Sequence, residues 1–96
     1  MARIAAHKIE ALRNLQIDTV DFIKGEIVDT TVNPTVIEHE DGSVVISAEG
    51  CPEVADYYNE FGDGCPSIHA SLEALATRLG LMLEWNDPGT VGVYNN

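Results

Sequence analysis

Between Gly25 and Thr77 the chain has no lysine and no arginine. The same window holds Glu26, Asp29, Glu38, Glu40, Asp41, Glu49, Glu53, Asp56, Glu60, Asp63 and Glu73. Ordinary chains mix the two signs, so the middle of this 96-residue protein is expected to present a surface of one sign. The whole chain sets five basic residues against 16 acidic ones, a net charge of −11. That balance disfavours direct binding to nucleic acid or to an anionic membrane surface, both of which call for a basic patch. It favours a basic protein partner, because opposite potentials steer encounter and select partners. Solubility alone is the competing account of the charge.

Other scarcities narrow the class further. Two cysteines fit a reducing compartment better than a disulfide scaffold. No apolar run approaches the roughly 20 residues that span a bilayer. The short apolar patch at the start breaks at His7 and Lys8, so no signal peptide is expected and the protein is expected to be cytoplasmic. No phosphate-cradling loop is present, because Gly62-Asp63-Gly64 is too short and too acidic. Neither a nucleophile elbow nor HExxH occurs, so the expected role is not enzymatic. What is there in quantity is apolar residue, 45% of the chain, enough for one modest core. Residues 1–96 are read as a single domain.

The hydrophobic spacing predicts two helices. Ala5, Ile9, Leu12 and Leu15 form one stripe in a helix over Ala2 to Leu15. Ile68, Leu72, Leu75 and Leu79 form another in a helix over Pro66 to Leu79, with Gly80 as its C-terminal cap residue. Asp18 to Lys24 alternates as a strand would, although Asp18 is equally suited to cap a short helix; we read a strand. Glu26 to Val32 is rich in β-branched residues and is expected to be extended. Asp41-Gly42 predicts a two-residue type I′ hairpin turn within Thr35 to Glu49. Glu38 then faces Val45 and Ile37 faces Ile46, with Ile37, His39, Val44, Ile46 and Ala48 on one face. Pro52 suits a first helical position, so Glu53 to Glu60 is expected to be a short helix. Leu81 to Asn86 and Val91 to Tyr94 predict a last hairpin about Asp87-Pro88-Gly89-Thr90. The expected fold is a small α+β domain: a mostly antiparallel sheet of about four to six strands packed with these two helices.

Two acidic groups stand out as candidate partner-binding sites. Glu38, Glu40 and Asp41 crowd like charge onto one hairpin, which costs stability. Glu53, Asp56, Glu60 and Asp63 surround Tyr57, Tyr58 and Phe61, an interface-like composition, because tyrosine is enriched in binding hot spots. These aromatics fit a core or an interface. Cys51, Cys65, His69 and His39 together supply zinc-type donors, but the spacing lacks the tight pairs of zinc sites, and ordinary thiols are the reading adopted. A Cys51–Cys65 disulfide would not persist in a reducing cytosol. No cofactor is expected.

The segment Ala55-Asp-Tyr-Tyr-Asn-Glu-Phe-Gly-Asp-Gly-Cys-Pro-Ser-Ile-His69, with Leu72-Glu73, Glu84-Trp-Asn-Asp-Pro-Gly89 and Val93-Tyr94, resembles a C-terminal pattern of short uncharacterised phage and prophage proteins. The resemblance covers the chain from Ala55 onward and nothing before Gly50, and it departs from the pattern at Cys65, where an aromatic is favoured. It carries no catalytic residues. It implies a mobile-element protein acting inside a bacterial host cell. In size and charge the chain is similar to anti-CRISPR proteins and other DNA-mimic anti-defence inhibitors, which commonly occupy a basic nucleic-acid channel. The expectation is therefore an inhibitor that sets clustered carboxylates against a basic host protein or nucleoprotein complex, such as a CRISPR effector. The alternatives are a phage structural or assembly protein acting through an apolar oligomeric interface, and a small metal-binding module.

Overall fold

The computed structural model describes residues 3–50, 52–59 and 64–96. The fold is α+β, with every strand pairing antiparallel. Helix α1 spans Ala6–Arg13 and buries Ile9 and Leu12. It is shorter than its apolar stripe, because Ala5 is already extended and has no side chain to cap the first turn. Helix α2 spans Ala70–Arg78 and buries Leu72 and Ala76. Gly80 follows it at φ +71°, the left-handed conformation that closes a helix.

Strands β1 (Ile17–Ile23) and β2 (Glu26–Val32) form a hairpin of their own. Lys24 and Gly25 join them at φ 52° and 83°. Two positive φ values in a two-residue loop are the mark of a type I′ turn, whose twist suits paired strands. Strands β3 (Val36–Glu38), β4 (Val44–Ser47), β7 (Leu81–Asp87) and β8 (Thr90–Asn95) form the main sheet, in the order β3-β4-β8-β7. The short strands β5 (Ala55–Asp56) and β6 (Ser67–Ile68) pair with each other.

One face of the main sheet carries Val36, Val44, Ile46, Leu81, Val91 and Val93, and α1 and α2 supply Ile9, Leu12, Leu72 and Ala76 to the same core. Full burial of a leucine such as Leu12 or Leu72 stabilises by about 1.5–3 kcal/mol. The reverse face holds Ile37, Val45, Met82, Glu84, Gly92 and Tyr94. The Tyr94 ring lies over Gly92, and its hydroxyl donates to Asn86 Oδ1 at 2.8 Å.

Two local expectations are corrected. The hairpin at Asp41-Gly42 is not a two-residue turn. Asp41 Oδ1 accepts from the Ser43 hydroxyl (2.6 Å) and the Ser43 backbone N–H (2.9 Å). Gly42 N–H donates to the His39 carbonyl, and Gly42 takes φ +89°. This is a three-residue loop ending in a left-handed glycine bulge. It moves the register by one, so Glu38 faces Val44 and Val36 faces Ile46. A slip of one residue exchanges the faces of a strand: Val36 is buried, whereas Ile37 is 40% exposed. The second correction is Glu53 to Glu60. Its described part is a turn followed by β5, not a helix. Val54 and Ala55 enter the core together, and the Val54 carbonyl accepts from His69 N–H. That pairing takes Ser67 and Ile68 into β6, so α2 begins only after His69, whose Nδ1 caps it by accepting from Ser71 N–H.

Candidate functional site

The two acidic groups singled out from the sequence lie at opposite ends of β4. The loop of Glu40 and Asp41 leads into Val44, which faces Val93; the other end, Ser47, faces Thr90. Val44 to Ser47 covers about 10 Å. Glu38, Glu40 and Asp41 are exposed, and a cation of the chain answers the first of them. Arg13 Nη1 pairs with Glu38 at 3.2 Å. Arg3 lies against Gly42, beside Asp41. Hydrogen bonds from the Ser43 hydroxyl and then its backbone N–H hold the Asp41 carboxyl below its ordinary value of 3.8, so this carboxylate is already at work in the turn.

The opposite end is different. Tyr57 stands edge-on between Trp85 (centroids 5.3 Å apart) and Tyr58 (5.4 Å). Edge-to-face pairs of this kind contribute about 0.5–1.5 kcal/mol beyond their burial. The run leads from Trp85, packed against the core, through half-buried Tyr57 to Tyr58, which is 64% exposed. The aromatics thus divide between core rim and surface. Glu53 is exposed, and Asp56 is half-buried with Oδ1 accepting from Asn59 N–H. Glu60, Phe61, Asp63 and Cys51 lie outside the described residues.

Two more carboxylates reach this end, and sequence reasoning did not place them here. The Ala48 N–H donates to the Gly89 carbonyl, and the Glu49 side chain lies over Gly89. Asp87 Oδ1 accepts from Gly89 N–H in the same turn, two residues beyond Trp85. Only the pairing of β4 with β8 brings Glu49 to Asp87, and no local spacing announces a contact so distant in sequence. Every described carboxylate except that of Asp56 is exposed. Among the described residues only Glu10 and Glu38 form ion pairs, both with Arg13. The anionic surface is therefore almost wholly unneutralised from within.

No family model, curated protein or solved structure matches the chain.

Of the zinc-type donors, His69 Nδ1 is taken up in capping α2, and His39 sits at the far hairpin. Among the described residues no three His, Cys, Asp or Glu side chains are grouped to hold a metal ion. No helix is long and apolar enough to cross a membrane.

Proposed function

We propose that the chain is a binding protein for a cationic protein surface, and in its narrower form an anti-defence inhibitor of the anti-CRISPR kind acting in the bacterial cytoplasm. The contact end is the aromatic run Trp85–Tyr57–Tyr58 with Glu49, Glu53, Asp56 and Asp87 about it. One observation carries the reading: an exposed tyrosine, held by a stack rooted in the core, stands at an end of the sheet whose described carboxylates form no ion pair with a described cation. A rigid aromatic supplies contact area at little entropic cost, while the charge around it steers a basic partner and excludes acidic ones. The narrower reading rests on the phage-protein resemblance, and on the fact that Lys and Arg placed to receive phosphates also receive carboxylates.

The test is a partner captured with tagged protein from the bacterial host, purified, and titrated at rising salt. Glu49, Glu53 and Tyr58 are the side chains to change, because none of them makes a side-chain hydrogen bond within the described fold, whereas Asp56 and Asp87 hold turns. Glu49→Lys with Glu53→Lys is expected to weaken binding at least tenfold. Glu40→Lys, at the other end of the sheet, is expected to change it little. An affinity indifferent to salt and to both reversals rejects the proposal.

A further inference from the structure

A strand at the margin of a sheet carries backbone groups that its neighbour does not use. The β1–β2 hairpin has two such margins. Beyond Ile17 and Val32 it is an arm whose strands pack essentially on each other alone, with Val20, Phe22 and Ile27 exposed, so among the described residues no other element walls its margins. The main sheet has two more, and they differ. Strand β3 is three residues long, and Arg13 Nη2 already donates to its Val36 carbonyl. Strand β7 is seven residues long and ends the order β3-β4-β8-β7.

The ladder of β7 decides which of its groups face outward. Asn96 N–H donates to the Gly80 carbonyl at 2.9 Å, so Gly80 and Asn96 form a hydrogen-bonded pair. Such pairs alternate along an antiparallel ladder. Met82, opposite Tyr94, and Glu84, opposite Gly92, therefore also bond to β8, and the N–H and C=O of Leu81 and Leu83 point away from the sheet. The other side of β8 agrees. Ala48 N–H donates to the Gly89 carbonyl, which makes Ile46–Val91 and Val44–Val93 the bonded pairs with β4 and leaves Gly92 and Tyr94 to β7. Among the described residues no group outside the sheet hydrogen-bonds to Leu81 or Leu83. Beside these open groups lies a groove of about 360 Å³, with Glu73, Ala76 and Thr77 of α2 on one side and Leu81, Met82 and Leu83 on the other. An open strand edge flanked by a groove suits an extended peptide: its main chain bonds to the edge, and alternate side chains find pockets.

We infer that β7 receives an extended, lysine- or arginine-bearing segment of the protein partner as an antiparallel fifth strand of the main sheet. This deepens the proposed function and rests on it for the sign of the partner's charge. Charge complementarity selects the occupant. Glu73 beside the groove and Glu84 on β7 are exposed and form no ion pair with a described cation. Side chains of an added strand alternate between two faces, so a cation on one face meets Glu73 and a cation on the other meets Glu84. Lys8, which reaches Gly80, and Arg78, which ends α2, stand at the Gly80 end instead. An antiparallel segment runs from Trp85 towards Gly80, so its cations come first and its neutral residues after. A second copy is the poorer occupant. Strand β7 bears Glu84 and Asp87 and no cation, so pairing two of them adds like charge to chains of net charge −11. The strand also leads to Trp85, the root of the aromatic run, so a partner held at that end is within reach of this edge.

Amide hydrogen exchange of the full chain, read by NMR with and without the peptide acetyl-Lys-Val-Lys-Val-Ser-Val-Ser-amide, is the experiment. In the free protein Leu81 and Leu83 are expected to exchange faster than Met82 and Glu84, whose amides bond to β8. The peptide is expected to bind with a Kd of roughly 10–500 μM. At about ten times Kd it is expected to slow exchange at Leu81 and Leu83 by about tenfold. Replacing both peptide lysines by serine is expected to weaken binding at least tenfold, and Glu73→Lys with Glu84→Lys to do the same. Glu40→Lys, at the far hairpin, is expected to change it little. Four results overturn the inference. No binding at millimolar peptide removes the site. Binding that leaves Leu83 unprotected removes strand addition, with the cationic reading of the acidic end left standing. Equal binding of the serine peptide removes the partner's charge, and counts against that reading as well. Protection of Leu83 that rises with protein concentration in the absence of peptide makes a second copy the occupant.

Discussion

Arg13 on α1 spans to β3, pairing with Glu38 at 3.2 Å and donating to the Val36 carbonyl at 3.1 Å. It also reaches Glu10, one turn back, at 3.5 Å. A single guanidinium thus ties the first helix to the edge strand of the main sheet and neutralises a carboxylate that, in the sequence, looks available to a partner. Both ionic groups are partly solvated, so the ion pair with Glu38 is worth little, about 0.2–1 kcal/mol, and the bond to the carbonyl about as much again. Arg13→Ala is expected to cost about 1–2 kcal/mol in urea denaturation, and Glu38→Gln less than about 1. An Arg13→Ala protein as stable as wild type would show that this tie is idle.

Asp41 links the second hairpin to pH. Its carboxyl is held below its ordinary 3.8 by the Ser43 hydroxyl and N–H. A carboxyl lowered on folding stabilises the native state in full above its unfolded value, and that contribution is lost as pH falls through the lower folded value. The stability gap between wild type and Asp41→Asn is therefore expected to be open at neutral pH and to close as the solution is acidified below about 4. Urea titrations of both proteins at stepped pH check this. A gap constant with pH would separate the hydrogen bonds from the charge.

Truncation in the core and on the arm should part sharply. Leu12→Ala and Leu72→Ala each remove a side chain with no exposed surface, and each is expected to cost about 2–5 kcal/mol. Phe22→Ala removes a larger side chain that lies mostly in water, and it is expected to change global stability by less than about 0.5 kcal/mol. Urea denaturation of the three variants beside wild type makes the comparison. A Phe22→Ala loss as large as that of Leu72→Ala would mean that the arm folds back onto the body.

Gly25 is the arm's most sensitive position. It holds φ +83° in the type I′ turn, and Gly25→Ala is expected to destabilise the hairpin by about 1–2 kcal/mol. Lys24 occupies the neighbouring left-handed position at φ 52°, where Asn is better suited, so Lys24→Asn should tighten it. Hydrogen exchange of the arm amides reads both changes locally: faster exchange for the first, slower for the second, with core amides unmoved. Core amides that follow the arm would show one cooperative unit instead of two.

The helices were legible because their signal is local. Leu72, Leu75 and Leu79 repeat at helical spacing and Gly80 marks the stop, although Ile68, the first of that stripe, lies in β6. The hairpin about Asp41 was legible in existence but not in register. The sequence pair Asp-Gly favours a two-residue loop, and the side chain of Asp41 bonding to Ser43 selected a three-residue one. The type I′ turn between β1 and β2 hides behind Lys24, a residue that seldom takes positive φ. At the candidate site, Tyr57 and Tyr58 stood out by composition. Their alignment with Trp85, and the arrival of Glu49 beside Asp87, depend on pairings between strands far apart in the chain, and single-sequence patterns hold no record of those. The exposure of Val20, Phe22 and Ile27 was hidden for the opposite reason: alternation suggests a covered face whether or not anything covers it.

Trp85 is the chain's single tryptophan, and Tyr57 and Tyr58 are two of its three tyrosines. With Tyr57 edge-on to the indole at 5.3 Å and Tyr58 next in line, excitation of the phenols passes to one emitter. The unlabelled protein thus carries its own optical gauge of whether the segment bearing Tyr58 is seated against the sheet. Occupation of that end by a partner would announce itself as a change in colour and intensity at Trp85, with no dye attached.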